Sequence, residues 1–201
     1  MRFVFKIAVS LLLAGLLIIL FRVGSVWRES GKIIRQSGIK DHVSINADLP
    51  ISEAEKVIAE TIFPTTFAEH GFLCPSVKTV FHRSSHKVGV SYFLATQMVS
   101  KVEYDKQIHY QFLRLFTACQ LENEFDGKVL LREALSNAYF GSGEYGIQVA
   151  ALSLYNKPVS ELHEAEGLAL AALVQSPGLR AQPEQWAVHK ELLGKRLMRN
   201  R

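Results

Sequence analysis

Residues 7–21, IAVSLLLAGLLIILF, form an unbroken run without a charged side chain. With Val4, Phe5 and Val23 on its flanks, the apolar span reaches about 20 residues, the length at which a helix crosses ~30 Å of hydrocarbon. Lys6 and Arg22 stand near its ends, where long cationic side chains snorkel toward headgroups. Such a run leaves three readings: an uncleaved membrane anchor, a cleaved signal peptide with Arg2 and Lys6 as its basic start, or a buried helix of a soluble protein. No small-x-small cleavage site follows, because the run passes straight into FRVGSVWRES. The anchor, residues 1–23, is the reading carried forward. Its orientation is not fixed by flanking charge, since Arg22, Arg28, Lys32 and Arg35 follow it as Arg2 and Lys6 precede it. The cations after the span equally suit a surface of anionic headgroups.

A chain of 201 residues has room for one domain with a real core beyond that span. Its net charge of +4 suits a membrane surface or a phosphate-bearing partner and is too weak to argue nucleic acid. Cys74 and Cys119 lie far apart without metal-ligand spacing, so the residues nominate no metal site. They read as buried free thiols, with an exported disulfide left open.

Residues 24–50 are polar and mixed, and read as a juxtamembrane stalk with a helical turn around KIIRQ. The globular part is expected over 51–201. Ser52 and Glu55 spell a capping box, and Val57, Ile58 and Ile62 then share one helical face up to Pro64. Residues 72–88 are irregular and basic, and Arg83, His86 and Lys87 read as a solvated loop. Four segments with helical spacing follow: VSYFLATQMVSKV; a second with Ile108, Phe112, Leu115, Phe116 and Cys119; a third with Val129, Leu130, Ala134, Leu135 and Ala138; and PVSELHEAEGLALAALVQSP, closed by Pro177. A basic helix ends the chain from about Pro183. No strand pattern stands out, and the expected class is mostly α.

Gly141-x-Gly143-x-x-Gly146 is the spelling of a dinucleotide loop, but that loop needs a strand before its glycines. LLREALSNAYF, which precedes them, is helical in period. The glycines therefore read as a tight helix-to-helix turn with backbone at positive φ.

The same stretch, FGSGEYGIQVAALSLYNKPVSELHEAEGLALAALVQSP, resembles the fourth motif of the family 51 peptidoglycan glycosyltransferases. Phe140, Gly141, Gly143, Tyr145, Gly146, Ala150, Ala151, Tyr155, Lys157 and Leu162 match that motif in register. Phe67, His70 and Gly71 match the close of the first motif, and Gln97 and Lys101 are what remains of the second. Glu122 matches the tail of the third, and AVHKELLGKRLM resembles the fifth with Lys190 for its usual arginine. The resemblance covers about residues 52–200. It implies a lysozyme-like, mostly α domain on an N-terminal transmembrane helix, single-pass in a bacterial plasma membrane with the domain on the extracytoplasmic side. The activity implied is polymerisation of lipid II, a polyprenyl-pyrophosphate-linked glycan. Partners implied are lipid II, the membrane and cell-wall synthesis proteins.

The family's two working glutamates are missing from this sequence. The general base, which must reach the acceptor hydroxyl to act, falls at Phe63–Pro64, and the second glutamate falls at Arg114. Glu60 and Glu69 are the weak substitutes nearby, while Glu103 and Asp105 read as surface charges. Lys101 is implied to face the donor pyrophosphate with Gln97. Arg114 offers either a phosphate fork or a surface ion pair near Glu122. His70, Gly71, Gly141, Gly143, Tyr145, Gly146 and Lys157 are implied as structural, with Tyr145 and Tyr155 in packing. Tyr92, Phe93 and Leu94 are expected to pack and to line a lipid-facing groove. With both glutamates gone, the family's divalent cation (Mg) has lost a probable contact. The expectation is a glycosyltransferase-like protein that binds lipid II rather than polymerising it, or a catalytically silent scaffold for cell-wall synthases.

Overall fold

The structure is a computed structural model that describes residues 2–41, 50–63, 74, 89–102 and 107–201, with side chains of the first helix described from Leu12 onward. Among these residues the chain is helical: α1 (Arg2–Gln36), α2 (Glu53–Ile62), α3 (Val90–Val99), α4 (Gln107–Glu124), α5 (Gly127–Ser136), α6 (Ile147–Tyr155), α7 (Glu164–Gln175) and α8 (Pro183–Asn200). Short 3-10 turns at Val159–Glu161 and Pro177–Ala181 flank α7.

Local chemistry explains the starts and stops. Ser52 Oγ accepts from the Glu55 amide at 3.2 Å, and Glu55 Oε2 accepts from the Ser52 amide at 2.8 Å, the reciprocal capping box that opens α2. Asp126 caps α5 by accepting from the Lys128 amide at 2.7 Å. Pro183 stands in the first turn of α8, where its missing N–H leaves no helical bond unmade.

The helices enclose one core. Val57, Ile58 and Ile62 of α2 are buried, as the spacing predicts, Ala54 joins them, and α2 packs on α7. Leu94 of α3, Leu113 and Leu121 of α4, and Leu131 and Leu135 of α5 meet in the same cluster. In α5 the buried row is Leu130, Leu131, Ala134 and Leu135, so Leu131 takes the place expected for Val129. In α4 the inward row is Leu113, Ala118 and Leu121, while Phe112 is 52% exposed. Phe116 turns instead toward α1, its ring 5.9 Å from that of Trp27.

That contact belongs to the largest difference from expectation. Residues 24–36 continue α1 and pack along α4, with Val26, Ile33 and Ile34 buried. Gln120 Nε2 donates to the Trp27 carbonyl at 2.8 Å, and His109 Nε2 lies 3.0 Å from Glu29 Oε2. The segment reads as polar because only one side of it is apolar, and that side is what it buries. Leu12, Leu16, Leu17 and Phe21 of the same helix are largely exposed. Among the described residues no helix is long and apolar enough to cross a membrane.

Cys74 and Cys119 are joined in a disulfide, which corrects the expectation of free thiols. Two isolated cysteines carry no signal of their pairing until the fold brings their Cα atoms to 5.5 Å.

Candidate functional site

The glycine turn links α5 to α6 as a small hairpin. Phe140 N donates to the Glu144 carbonyl at 2.9 Å, and Gly146 N to that of Ala138 at 2.8 Å. Tyr139 and Tyr145 form an antiparallel bridge. Gly141 (φ +88°) presses so closely on the chain after α7 that a Cβ there would lie 2.5 Å from the Pro177 carbonyl oxygen. Gly146 (φ +91°) would bring one to 3.0 Å from that of Ser136. Both positions need glycine for backbone angle and for room.

Behind the turn, Arg180 clasps Glu144 with both terminal guanidinium nitrogens, Nη1 and Nη2, at 2.6 and 2.9 Å. Ser153 Oγ donates to Glu144 Oε1 at 2.7 Å and accepts from Arg180 at 2.8 Å. The bonds from Arg180, then that from Ser153, hold the Glu144 carboxyl below the usual carboxylate range. Lys157 pairs with Glu166 at 2.9 Å, and Glu166 also accepts from the His163 amide at 2.8 Å. That backbone bond, followed by Lys157, lowers the Glu166 pKa. Burial first, and then the Glu166 charge, pushes the Tyr155 hydroxyl up to about 12. Lys157, just after α6, thus ties that end of the helix to α7.

In front of it lies a cavity of about 650 Å3 between α3, α5 and the chain after α7. Gln97 and Lys101 of the α3 end meet Ser136, Asn137, Tyr139 and Tyr145 there, with Phe93, Val174 and Pro177 as apolar wall. Lys101 is exposed and has no ion-pair partner among the described residues. Gln97 Nε2 donates to the Ala134 carbonyl at 3.3 Å, while its Oε1 is buried and has no partner among the described residues. Tyr145 packs within the turn rather than in the core: it is 63% exposed, and its ring lies 4.9 Å from that of Tyr139. The sequence reading missed Tyr139. Its signal is hairpin arithmetic, because bridged residues on either side of a tight turn project from the same face.

Other expected residues are elsewhere. Phe63, where the resemblance puts the general base, is 1% exposed and its ring lies 5.2 Å from that of Phe93. Glu60 is tied to Arg201 at 2.9 Å and to Lys56 at 3.9 Å on the α8 side of α2, so as a substitute base it is misplaced. Arg114 does not line the cavity: its guanidinium sits 4.6 Å from the Tyr92 ring centre and 5.4 Å from that of Tyr110. Among the described residues Arg114 makes no ion pair. Glu122 is buried, accepts from the Ser91 hydroxyl, and has Oε2 2.7 Å from Cys74 Sγ. Glu69, His70, Gly71, Arg83, His86, Lys87, Glu103 and Asp105 lie outside the described residues.

The described lining carries no carboxylate, and its neutral oxygens beside a lysine are a poor donor set for a hard divalent cation. Cys74, Cys119 and Glu122 do cluster, but both sulfurs are spent in the disulfide.

Residues 73–198 match the model of the transglycosylase family. Penicillin-binding protein 1F of Bacillus subtilis is 30% identical over 167 residues, 76% of this chain and 23% of that protein. Penicillin-binding protein 1A of Mycolicibacterium smegmatis is 40% identical over 63 residues, covering 31% of this chain and 8% of that protein. Penicillin-binding protein 1A of Aquifex aeolicus is 34% identical over 84 residues, 40% and 12% of the two chains. The chain spans less than a quarter of the length of these curated relatives.

Proposed function

The chain belongs to the transglycosylase family, and we propose on that basis that its cavity binds lipid II without polymerising it. The observation that carries this reading is Phe63, a core aromatic ring where a proton-accepting carboxylate is needed. A hydroxyl acceptor is not activated by a phenyl group, and removing a general base typically costs ~10²–10⁴-fold in rate.

The rest of the cavity suits recognition. Lys101 supplies a cation for pyrophosphate, in the role that oriented charge plays toward phosphoryl oxygens. Gln97 Oε1 is a buried acceptor that a glycan hydroxyl or amide N–H satisfies, relieving a cost of about 1–3 kcal/mol. Tyr139 and Tyr145 offer exposed ring faces for a sugar or the first isoprene unit. In this reading residues 1–23 are a single membrane-spanning anchor, the domain is extracytoplasmic and lysozyme-like, and the bound lipid approaches from the bilayer. Among the described residues, the cavity's lining offers a phosphate-bearing ligand a lysine and neutral oxygens rather than a carboxylate.

Detergent-solubilised protein incubated with labelled lipid II tests this. Saturable binding without polymer, weakened by Lys101→Ala, is the expected result. Polymer that disappears in Glu60→Gln or Glu69→Gln overturns the silent reading. Neither binding nor polymer overturns the lipid II reading and leaves a scaffold that engages cell-wall synthases.

A further inference from the structure

A second cavity, of about 400 Å3, lies where α1 crosses α4. Trp27, Arg28, Gly31, Lys32 and Arg35 line it from α1, and Gln120 is among those facing them from α4. Positions 28, 32 and 35 recur at helical spacing, so the three cations share one face. Side chains of a helix lean toward its N-terminus, and Arg35 does so: its Nη1 would lie 3.6 Å from a Cβ placed on Gly31. The floor is therefore open because residue 31 is glycine; that Cβ would also stand 3.2 Å from Gln120 Oε1.

The acids nearby are already engaged. Glu124, also in the lining, pairs with Lys40 at 3.0 Å, and Glu29 faces His109 at 3.0 Å. Arg28, Lys32 and Arg35 have no ion-pair partner among the described residues. Three uncompensated cations around a recess call for an anion with several oxygens.

What precedes the cavity on the same helix identifies the source. Leu12, Leu16, Leu17, Ile18, Leu20 and Phe21 are all more than half exposed. Arg28 follows Phe21 by seven residues, about 10 Å along the axis at 1.5 Å per residue. With the apolar stretch in hydrocarbon, the cavity's Arg28 end falls at headgroup depth, and Trp27 stands where aromatic side chains collect at the interface. We propose that this cavity is a binding site for the phosphate headgroup of an anionic phospholipid. The site is separate from the cavity of Lys101 and does not depend on what that cavity binds; it rests on the anchor reading of residues 1–23.

Native mass spectrometry of the full chain, released from micelles doped with equal amounts of phosphatidylglycerol and phosphatidylcholine, reads the preference directly. Phosphatidylglycerol should be retained preferentially. Each cation near an anionic surface contributes about fivefold, so Lys32→Gln should cut the preference about fivefold. Arg28→Gln/Lys32→Gln/Arg35→Gln should abolish it with helix content unchanged by circular dichroism. A control removing equal charge from α8, Lys190→Gln/Lys195→Gln/Arg196→Gln, should keep it. Equal retention of the two lipids, or equal loss in the control, overturns the site. Displacement of phosphatidylglycerol by inorganic phosphate alone would make it a free-anion site and overturn the lipid assignment. The lipid II assay separately tests the other cavity, so the two readings fail independently.

Discussion

The rings of Phe63 and Phe93 pack at 5.2 Å between centroids, 49° between planes, with Phe63 in the core and Phe93 in the wall of the Lys101 cavity. The position that the family resemblance assigns to the general base is thus not an empty slot awaiting a carboxylate. It is part of the packing that shapes the cavity.

Phe63→Glu should therefore fail as a repair. Truncating a buried phenylalanine costs about 3–5 kcal/mol, and an unpaired carboxylate in the same place adds desolvation. We expect a lower midpoint in thermal unfolding followed by circular dichroism, and no polymer from labelled lipid II. Polymer from a variant of unchanged midpoint would show that only the base was lacking, and that the surrounding packing had never been committed to its absence.

The turn makes a second prediction through a contrast within one motif. Gly141 and Gly143 both have positive φ, +88° and +80°, so alanine at either is strained by about 1–2 kcal/mol. Only at Gly141 does the added carbon meet the Pro177 carbonyl; at Gly143 nothing lies within 4 Å. Gly141→Ala should lower the unfolding midpoint clearly more than Gly143→Ala. Because Pro177 also lines the Lys101 cavity, it should weaken ligand binding as well. Equal effects would mean that the close approach to Pro177 is not a constraint.

Much of this was readable in advance. The capping box at Ser52, the buried row of α2 and the glycine turn follow from short-range rules, because their partners lie within a few residues. What escaped depends on contacts across the chain. Residues 24–36 look like solvated linker until α4 covers their apolar side, and Cys119 looks like a thiol until Cys74 arrives beside it. Glu60 stands one turn from Phe63 in sequence, yet its ion pair with Arg201 comes from the far end of the chain. In sequence Arg114 shows only its charge, whereas the structure uses its flat face over Tyr92.

The clasp between Arg180 and Glu144 predicts a pH dependence. Glu144 has a folded pKa depressed below its unfolded value, so its contribution is full above the ordinary carboxylate range and is lost as pH falls through the depressed value. The unfolding midpoint should fall with acid from about pH 5 downward. Glu144→Gln should start lower at neutral pH and show a shallower fall in that window. Glu166, depressed for its own reasons, will keep part of the slope. A variant whose midpoint tracks the wild type in parallel across the window would mean that the clasp contributes no linkage.

The disulfide gives the last prediction. Cys74 and Cys119 close a loop with a sequence separation of 45. Cross-linking removes loop entropy from the unfolded chain, typically worth about 2–4 kcal/mol. Cys119 is buried on α4 one turn from Glu122, whose carboxylate accepts from Ser91 on α3. The bond therefore anchors residue 74 at the junction of two helices that also carry Gln97 and Arg114. Reductant should lower the unfolding midpoint of the wild type and leave Cys74→Ser/Cys119→Ser unchanged, with the reduced wild type close to the double variant. Because neither cysteine lines the Lys101 cavity, lipid II affinity at temperatures well below the midpoint should survive reduction. An affinity lost together with the bond, at a temperature where circular dichroism still reports a folded chain, would instead make residues near Cys74 part of the binding surface.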